Sequence, residues 1–173
     1  YGAFVNPLRA RLSRFTLKKA NTLLLVDRSL NEDIMRNTGL LLNNVRYLPT
    51  GFDHNFWRPS TQKKEKIVLT VAWCPDQTRL ILKGIDTFIK TAICLPKAKF
   101  WIVGVEGKAK KYILNSNPPN NVSIFEPIEH KALLNFYQRS KVYCQLSMRE
   151  GLPNALCEAM LCNCIPIGTK RGG

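Results

Sequence analysis

The chain has 173 residues, with 26 lysines and arginines against 12 aspartates and glutamates, so its formal net charge is +14 at pH 7. An apolar fraction of 45% with 22% charged residues is typical of a globular chain and excludes a disordered one. No apolar run approaches the roughly 18 residues of a membrane span, and the sequence shows no secretory signal. The charge favours anionic partners such as nucleotides, nucleic acids or a membrane surface.

The first part of the chain predicts one αβαβ segment. A basic helix is expected from about Pro7 to Lys19, a strand at Thr22 to Val26, a helix at Leu30 to Thr38 and a short strand at Val45 to Leu48. Such a segment cannot cover both faces of its own sheet. We therefore interpret it as the tail of a first α/β domain, or as a unit that packs on the second part of the chain.

The stretch from Pro49 to Lys66 is interpreted as a connector, because it contains Gly51, Pro59 and Ser60 and several lysines near its end. We place a domain boundary near residue 60. Residues 1–60 then end the first domain, and residues 61–173 form the second.

The second part alternates continuous apolar runs with amphipathic ones, which is typical of a buried parallel sheet with helical crossovers. The expected fold is α/β, with a Rossmann-like, doubly wound parallel sheet. The predicted strands are Ile67 to Val71, Lys99 to Val103, Val122 to Phe125, Val142 to Leu146 and Cys164 to Ile167, and the predicted helices are residues 84–94, 107–115, 129–139 and 153–162.

The six cysteines lie mostly inside apolar segments, at positions 74, 94, 144, 157, 162 and 164. The last three could bind a soft metal, but they form no C-x-x-C pair and have no nearby histidine, so we expect buried thiols and no metal. Reduced cysteines favour a cytoplasmic protein.

The segment EGLPNALCEAM follows the predicted strand VYCQL and carries two acids eight positions apart, Glu150 and Glu158. Pro153 suits the first turn of a helix, which places Glu150 in the loop at the carboxyl end of a strand and Glu158 inside the helix. Open α/β sheets bind ligands at these strand ends, and the free N–H groups of a helix start attract anions. For isolated glutamates, solvent exposure near a helix start is the commoner explanation.

Two further segments leave predicted strands at the same edge of the sheet. In AWCPDQTRLILKGIDTFIKTA, a polar loop carries Arg79 and Lys83, two cations suited to a diphosphate, although a solvated Lys83 also explains the pattern. In WIVGVEG, Gly104 and Gly107 follow a strand, where glycine lets a ligand approach the backbone. The sequence contains no dinucleotide G-x-G-x-x-G fingerprint, no Walker phosphate loop and no zinc-protease helix.

Several of these segments together resemble the donor-binding half of a GT-B glycosyltransferase of family four: EGLPNALCEAM with its E-x7-E spacing, LKGIDTFIKTA, the WIVG strand end and NNVSIFEPIEHKALLNFYQRSKVYCQLS. NTLLLVDRSLNEDIMR and VRYLPTGFDHNFWRP resemble the end of that family's first, acceptor-side domain and the passage between domains, so the resemblance covers residues 20–173. It implies a GT-B C-terminal domain, incomplete at its end, and an enzyme that transfers a hexose from a nucleotide-diphosphate sugar with retention of configuration.

The resemblance also implies roles for individual residues. Lys83, helped by Arg79, would hold the donor diphosphate, and Glu150 would face the sugar and help to stabilise the reacting centre, so Lys83 and Glu150 are the expected catalytic residues. Glu158 would accept hydrogen bonds from the ribose, and residues 126–128 would line the base. The other expected substrate contacts are Gly84, Gly104, Gly151, Leu152, Pro153 and Asn154.

The chain departs from the family pattern in two ways. Ala72-Trp73 stands where the family usually has Gly-Arg, so Arg79 is the expected substitute for the customary phosphate arginine. The sequence also lacks most of an acceptor-binding domain, so we expect donor binding from this chain and transfer only by the whole enzyme. His54 and His130 are expected to be surface residues and not the acceptor-side catalyst.

The implied mechanism is transfer through an oxocarbenium-like transition state. Lys83, Arg79 and helix N–H groups would stabilise the negative charge that grows on the leaving diphosphate. The sequence has no D-x-D motif, so we expect no cofactor and no essential metal. A noncatalytic sugar-nucleotide-binding module is an alternative.

The positive charge outside this site allows other interpretations. The first predicted helix carries an apolar stripe among five cations, with Leu8, Leu12 and Phe15 beside Arg9, Arg11, Arg14, Lys18 and Lys19. It could rest peripherally on an anionic membrane, as suits an enzyme with a lipid-linked rather than a soluble saccharide acceptor, or it could pack against the rest of the first domain. A basic nucleic-acid-binding domain also meets the charge requirement, but the sequence has no nucleic-acid motif, so we expect no nucleic-acid partner.

Overall fold

The computed structural model describes residues 6–170. Within that range a short 3₁₀ turn, His130–Ala132, accompanies seven helices and seven strands. In chain order these are α1 (Pro7–Lys19), β1 (Leu23–Leu25), α2 (Ser29–Thr38), β2 (Val45–Tyr47), β3 (Glu65–Cys74), α3 (Gln77–Leu82), α4 (Ile85–Cys94), β4 (Lys99–Val105), α5 (Gly107–Asn115), β5 (Val122–Phe125), α6 (Leu133–Arg139), β6 (Ser140–Gln145), α7 (Asn154–Leu161) and β7 (Ile165–Gly168).

The strands form two separate parallel sheets. The larger one has five strands in the order β5-β4-β3-β6-β7, and every neighbouring pair is parallel. Strands β1 and β2 form a two-stranded parallel sheet of their own. Along the chain, β4 and β5 are added on one side of β3, and β6 and β7 are then added on its other side. The larger sheet is therefore doubly wound, which confirms the predicted α/β fold.

The larger sheet has a hydrophobic cluster on each face, because alternate side chains of its central strands enter different clusters. On β4, Phe100 and Ile102 pack with helices α3, α4 and α5, whereas Trp101 and Val103 pack with α6 and α7. All four side chains are at most 8% exposed. Fully burying side chains of this size stabilises the fold by roughly 1.5–3 kcal/mol each, which explains why these strands have no polar face.

The sequence prediction missed helix α3, because it assigned Arg79 and Lys83 to a polar loop. The Asp76 side chain accepts a hydrogen bond from the Arg79 backbone N–H and caps the helix, and Leu80 is buried beneath it. Six residues are too few to show helical periodicity, which is the physical reason for the error. Arg79 therefore lies on a helix, and Lys83 is the residue that ends it.

The predicted connector is closely joined to the larger sheet. Its last residues form the start of β3, which begins at Glu65 and not at Ile67. Trp57 is 6% exposed and packs in the same cluster as Tyr137 of α6. The boundary near residue 60 stays a prediction.

Candidate functional site

A cavity of about 470 Å³ opens beyond the carboxyl ends of β3 and β6. Its walls come from α3, which follows β3, and from the loop between β6 and α7, with one residue contributed by α2. The lining residues are Leu30, Arg79, Leu82, Lys83, Met148, Arg149, Glu150 and Gly151. The fold therefore brings Arg79, Lys83, Glu150 and Gly151 together across some seventy positions of sequence.

Lys83 and Glu150 form an ion pair inside this cavity. Their side chains are only 21% and 20% exposed, so water screens the pair less than it would at the surface. The Met148 backbone N–H donates to the Leu82 carbonyl at 2.9 Å, which holds the loop after β6 against the end of α3. This backbone contact places the two charged residues opposite each other.

A hydrogen-bond chain from strand β6 supports Glu150. The Gln145 side-chain amide donates from Nε2 to Glu150 Oε1 at 3.1 Å and to Ser147 Oγ at 2.8 Å. The Tyr143 hydroxyl donates to Gln145 Oε1 at 3.1 Å. Burial raises the pKa of Tyr143 far above its ordinary value, so the phenol keeps its proton. These hydrogen bonds were not predicted from the sequence, although a glutamine within the otherwise apolar segment VYCQL was a signal for them.

Arg79 lines the same α3 wall of the cavity as Lys83 and lies against an exposed tryptophan. Its guanidinium carbon is 5.7 Å from the centre of the Trp73 ring, a cation–π distance. The indole Nε1 of Trp73 donates to Glu106 Oε1 at 2.7 Å, which fixes the ring. The tryptophan that replaces the family's usual arginine therefore contacts the arginine expected to substitute for it.

Glu158 lies apart from the Lys83–Glu150 pair, on α7. Its side chain is 5% exposed. Glu158 is not one of the described residues that line the cavity. His130 Nε2 lies 2.8 Å from Glu158 Oε1, and the Tyr137 hydroxyl donates to Oε2 at 3.1 Å. His130 is largely exposed, as expected, but its contact with Glu158 and the packing of Trp57 on its ring were not anticipated.

Two of the predicted glycines approach protein backbone. A Cβ on Gly84 would lie 2.3 Å from the Leu146 carbonyl oxygen, and one on Gly104 would lie 2.6 Å from the Ala72 carbonyl oxygen. Contact between neighbouring segments of the fold therefore explains both glycines without a ligand.

The remaining predicted residues surround the start of α7 and the end of β5. Leu152, Pro153 and Asn154 lead into α7, whose first helical residue is Asn154. Glu126 pairs with Lys110 at 2.7 Å near the surface, and the Lys110 ammonium holds the pKa of the Glu126 carboxyl below its usual value. All these roles stay predictions.

The cysteines form no disulfide. Burial raises the pKa of Cys74 and Cys144 to about 11 and that of Cys162 to about 12. Over the described range, residues 6–170, no three side chains of His, Cys, Asp or Glu come together in a group that could hold a metal ion.

The fold is that of the GT-B glycosyltransferases. Sucrose-phosphate synthase from Thermosynechococcus elongatus matches with a TM-score of 0.78 and 18% identity, over 97% of this chain and 45% of that protein. Alr3699/HepE from Anabaena, solved in complex with UDP-glucose, matches with a TM-score of 0.77 and 17% identity, over 96% of this chain and 50% of its own.

The family model for glycosyl transferases group 1 matches residues 52–173, so the chain belongs to that family. The gpi3 subunit of phosphatidylinositol N-acetylglucosaminyltransferase from Schizosaccharomyces pombe is 27% identical over 175 aligned residues. That alignment covers 94% of this chain and 37% of the fission yeast protein, so the chain spans well under half of this relative. None of the helices between residues 6 and 170 is both long enough and apolar enough to span a bilayer.

Proposed function

We propose that this chain carries the donor-binding site of a retaining glycosyltransferase, which transfers a hexose from a nucleotide-diphosphate sugar to a saccharide or lipid-linked acceptor. The observation that carries the proposal is the meeting of Lys83, Arg79 and Glu150 in one cavity at the carboxyl ends of β3 and β6. Membership of the glycosyltransferase family supports it. The Anabaena neighbour, solved with UDP-glucose and with UDP, supports a nucleotide sugar as the ligand.

The diphosphate lies, in this proposal, between Arg79 and Lys83. Arg79 lines the cavity and Lys83 turns from Glu150 towards a phosphate oxygen. Helix α4 begins directly after these residues, and its N-terminus adds a partial positive charge. Because the leaving diphosphate gains charge as the glycosidic bond breaks, these groups stabilise the transition state more than the ground state. Two cations beside the diphosphate also make transfer without a metal ion chemically reasonable.

The sugar lies against Glu150 and the backbone of the following residues up to Asn154. Glu150 accepts hydrogen bonds from sugar hydroxyls and stabilises the positive charge of an oxocarbenium-like transition state. Glu158 binds the ribose hydroxyls farther along α7, and residues 126–128 line the base. The nucleotide sugar therefore extends from the cavity, where its sugar and diphosphate lie, along α7 to Glu158.

A thermal-shift panel of UDP, GDP and ADP sugars tests the proposal on the full-length protein. A ligand at 100 times its Kd stabilises the folded state by about 2.7 kcal/mol, which raises the melting temperature measurably. Lys83→Ala should abolish the shift, whereas Lys90→Ala, which removes the same charge from an exposed position on α4, should preserve it. A folded protein that responds to no donor would contradict the proposal.

The ribose role of Glu158 has its own test. Glu158→Gln keeps the side-chain volume and one acceptor oxygen but removes the negative charge, so the Kd of the intact nucleotide should rise about tenfold. Calorimetry measures this change, with Glu65→Gln as the control, because Glu65 lies partly exposed at the amino-terminal end of β3, the opposite end from the cavity. Unchanged affinity in a folded Glu158→Gln protein would remove Glu158 from the site.

A lipid-linked acceptor would bring the enzyme to a membrane, and α1 suits an anionic surface. Leu8, Leu12 and Phe15 are 57–69% exposed, and the helix buries no residue. The fission yeast relative is named for phosphatidylinositol, a membrane lipid. Sedimentation with vesicles of phosphatidylcholine, with and without phosphatidylinositol, tests the contact. Leu12→Asp should abolish binding and Leu41→Asp, at another exposed leucine, should not. Equal binding by both variants would exclude α1 from the membrane contact.

Turnover separates the enzyme from a noncatalytic nucleotide-sugar binder. The full-length protein should release nucleoside diphosphate in the presence of donor and acceptor. Donor binding without release across a panel of saccharide and lipid acceptors would favour the noncatalytic alternative.

A further inference from the structure

We infer that Gln145 is a positioning residue that keeps Glu150 directed into the cavity when a bound ligand draws Lys83 away. The inference rests on the proposed function and assigns that site a residue which neither the family resemblance nor the cavity lining includes.

The resting structure shows one carboxylate oxygen with two donors. Lys83 Nζ and Gln145 Nε2 both contact Glu150 Oε1. An ammonium is mobile on its flexible stem and is attracted by a phosphate, whereas a neutral amide gains little from that charge. When the diphosphate binds Lys83, Glu150 therefore loses its ion pair with Lys83 and keeps its hydrogen bond from the Gln145 amide. A largely buried carboxylate without any donor would turn towards water.

The Gln145 amide is itself held in one orientation. A carboxylate only accepts hydrogen bonds, so Nε2 and not Oε1 must face Glu150. The second hydrogen of Nε2 goes to Ser147 Oγ, and Ser147 is 1% exposed. Oε1 then accepts from the Tyr143 hydroxyl, and Tyr143 is fully buried. Every polar atom of the Gln145 side chain thus has a partner within the fold.

Tyr143, the first residue of this series of hydrogen bonds, is held rigidly by its packing. The Tyr143 ring packs edge-on against Tyr137 with 6.0 Å between ring centres, and its hydroxyl also lies 3.4 Å from the Val71 carbonyl on the neighbouring strand. Residues on packed strands hold a functional group more accurately than residues on loops. Glu150 lies on a loop, so its precision comes from strand β6 through Gln145.

The decisive variant is Gln145→Leu in the full-length protein, because leucine has a similar volume and removes all three hydrogen bonds of the side-chain amide. We expect kcat for transfer to fall about ten- to a hundredfold, as loss of a hydrogen bond to a charged group predicts. The Kd of the nucleoside diphosphate alone should change less than about twofold, since Lys83 and Arg79 are untouched. Gln138→Leu is the matched control, because the Gln138 side chain donates to the Arg58 carbonyl at the surface and does not line the cavity among the described residues.

A second variant tests the chain behind Gln145. Tyr143→Phe removes only the hydroxyl and should lower kcat by a smaller factor with the same unchanged diphosphate Kd. In the Gln145→Leu background Tyr143→Phe should lower kcat by less than about twofold, because both changes act through one amide.

Three results would overturn the inference: an unchanged kcat in a folded Gln145→Leu protein, an equal loss of diphosphate affinity, or independent effects of Gln145→Leu and Tyr143→Phe. A wild-type protein that binds no nucleotide sugar would instead refute the proposed function, and the role of Gln145 with it.

Discussion

The segment of residues 6–48 and the five-stranded unit differ in how much of their surface they bury. No residue from 6 to 48 is buried, and Leu24, Leu41 and Leu48 are 61%, 80% and 59% exposed. In the larger unit Phe88, Phe100 and Ile102 are at most 1% exposed. Both regions contain helices and parallel strands, so their secondary structure does not explain the difference in burial. The difference is that only the larger sheet has helices on both faces, and burial requires those layers.

The comparison predicts that core truncation matters in one region only. Phe88→Ala should lower the free energy of unfolding by about 3–5 kcal/mol, because it leaves a cavity between α4 and the sheet. Leu24→Ala, in β1, should cost less than about 0.5 kcal/mol. Urea unfolding followed by far-UV circular dichroism, which reports on the helices and strands of both regions, measures both. A large loss from Leu24→Ala would show that the first region is covered in solution.

Two left-handed glycines give the next comparison. Gly84 has φ +68° and faces the Leu146 backbone, whereas Gly39, at the end of α2, has φ +70° with nothing within 4 Å of an added Cβ. Gly84→Ala should therefore cost about 2–5 kcal/mol, from strain and collision together. Gly39→Ala should cost only the strain, about 1–2 kcal/mol. Melting temperatures of the two variants test this order, and equal losses would contradict it.

A polar contact reinforces the larger unit. Lys64 Nζ donates to the carbonyls of Tyr137, Gln138 and Ser140, where α6 ends and β6 begins. Lys64→Met should lower the free energy of unfolding by about 1.5–3 kcal/mol, because it removes charged hydrogen bonds at a helix C-terminus. Lys63→Met changes an exposed neighbour and should be nearly neutral. Denaturant unfolding of the pair decides whether Lys64 has this role.

The smallest expected effect comes from the contact between the regions. Asp33 of α2 forms an ion pair with Arg149, next to Glu150. Both side chains are partly exposed, so the coupling free energy should be only about 0.2–1 kcal/mol and should fall as salt is added. A double-mutant cycle of Asp33→Asn with Arg149→Gln measures it. A coupling that is large and independent of salt would mean that the two regions unfold as one.

The larger sheet could be predicted because buried parallel strands have a continuous apolar sequence. Ile67–Leu69 and Phe100–Val103 are apolar at every position, which is typical of strands that are covered on both faces. Helix α3 could not be predicted in the same way, because capping by Asp76 and the burial of Leu80 create it rather than periodicity. The first region showed an equally clear pattern without a core, so pattern alone does not indicate burial.

The sequence could predict the part of the site that depends only on the order and direction of the strands. Residues that follow neighbouring parallel strands meet at one edge, which brings Lys83 and Glu150 together. The contacts of Gln145 with Glu150 and of His130 with Glu158 depend on side-chain geometry after folding, and no spacing rule specifies them. The position of Glu158 outside the cavity lining is of the same kind, because its carboxylate contacts the His130 ring and the Tyr137 hydroxyl instead.

The Lys83–Glu150 pair gives each charge in the cavity a counter-ion from the protein itself. A tethered carboxylate competes with incoming anions at an effective concentration on the order of millimolar. A lone inorganic anion must displace it and offers nothing to the displaced carboxylate. A ligand that carries both phosphate and hydroxyl groups pairs with Lys83 and also donates hydrogen bonds to the displaced carboxylate. The Lys83–Glu150 pair therefore favours such ligands over a lone inorganic anion.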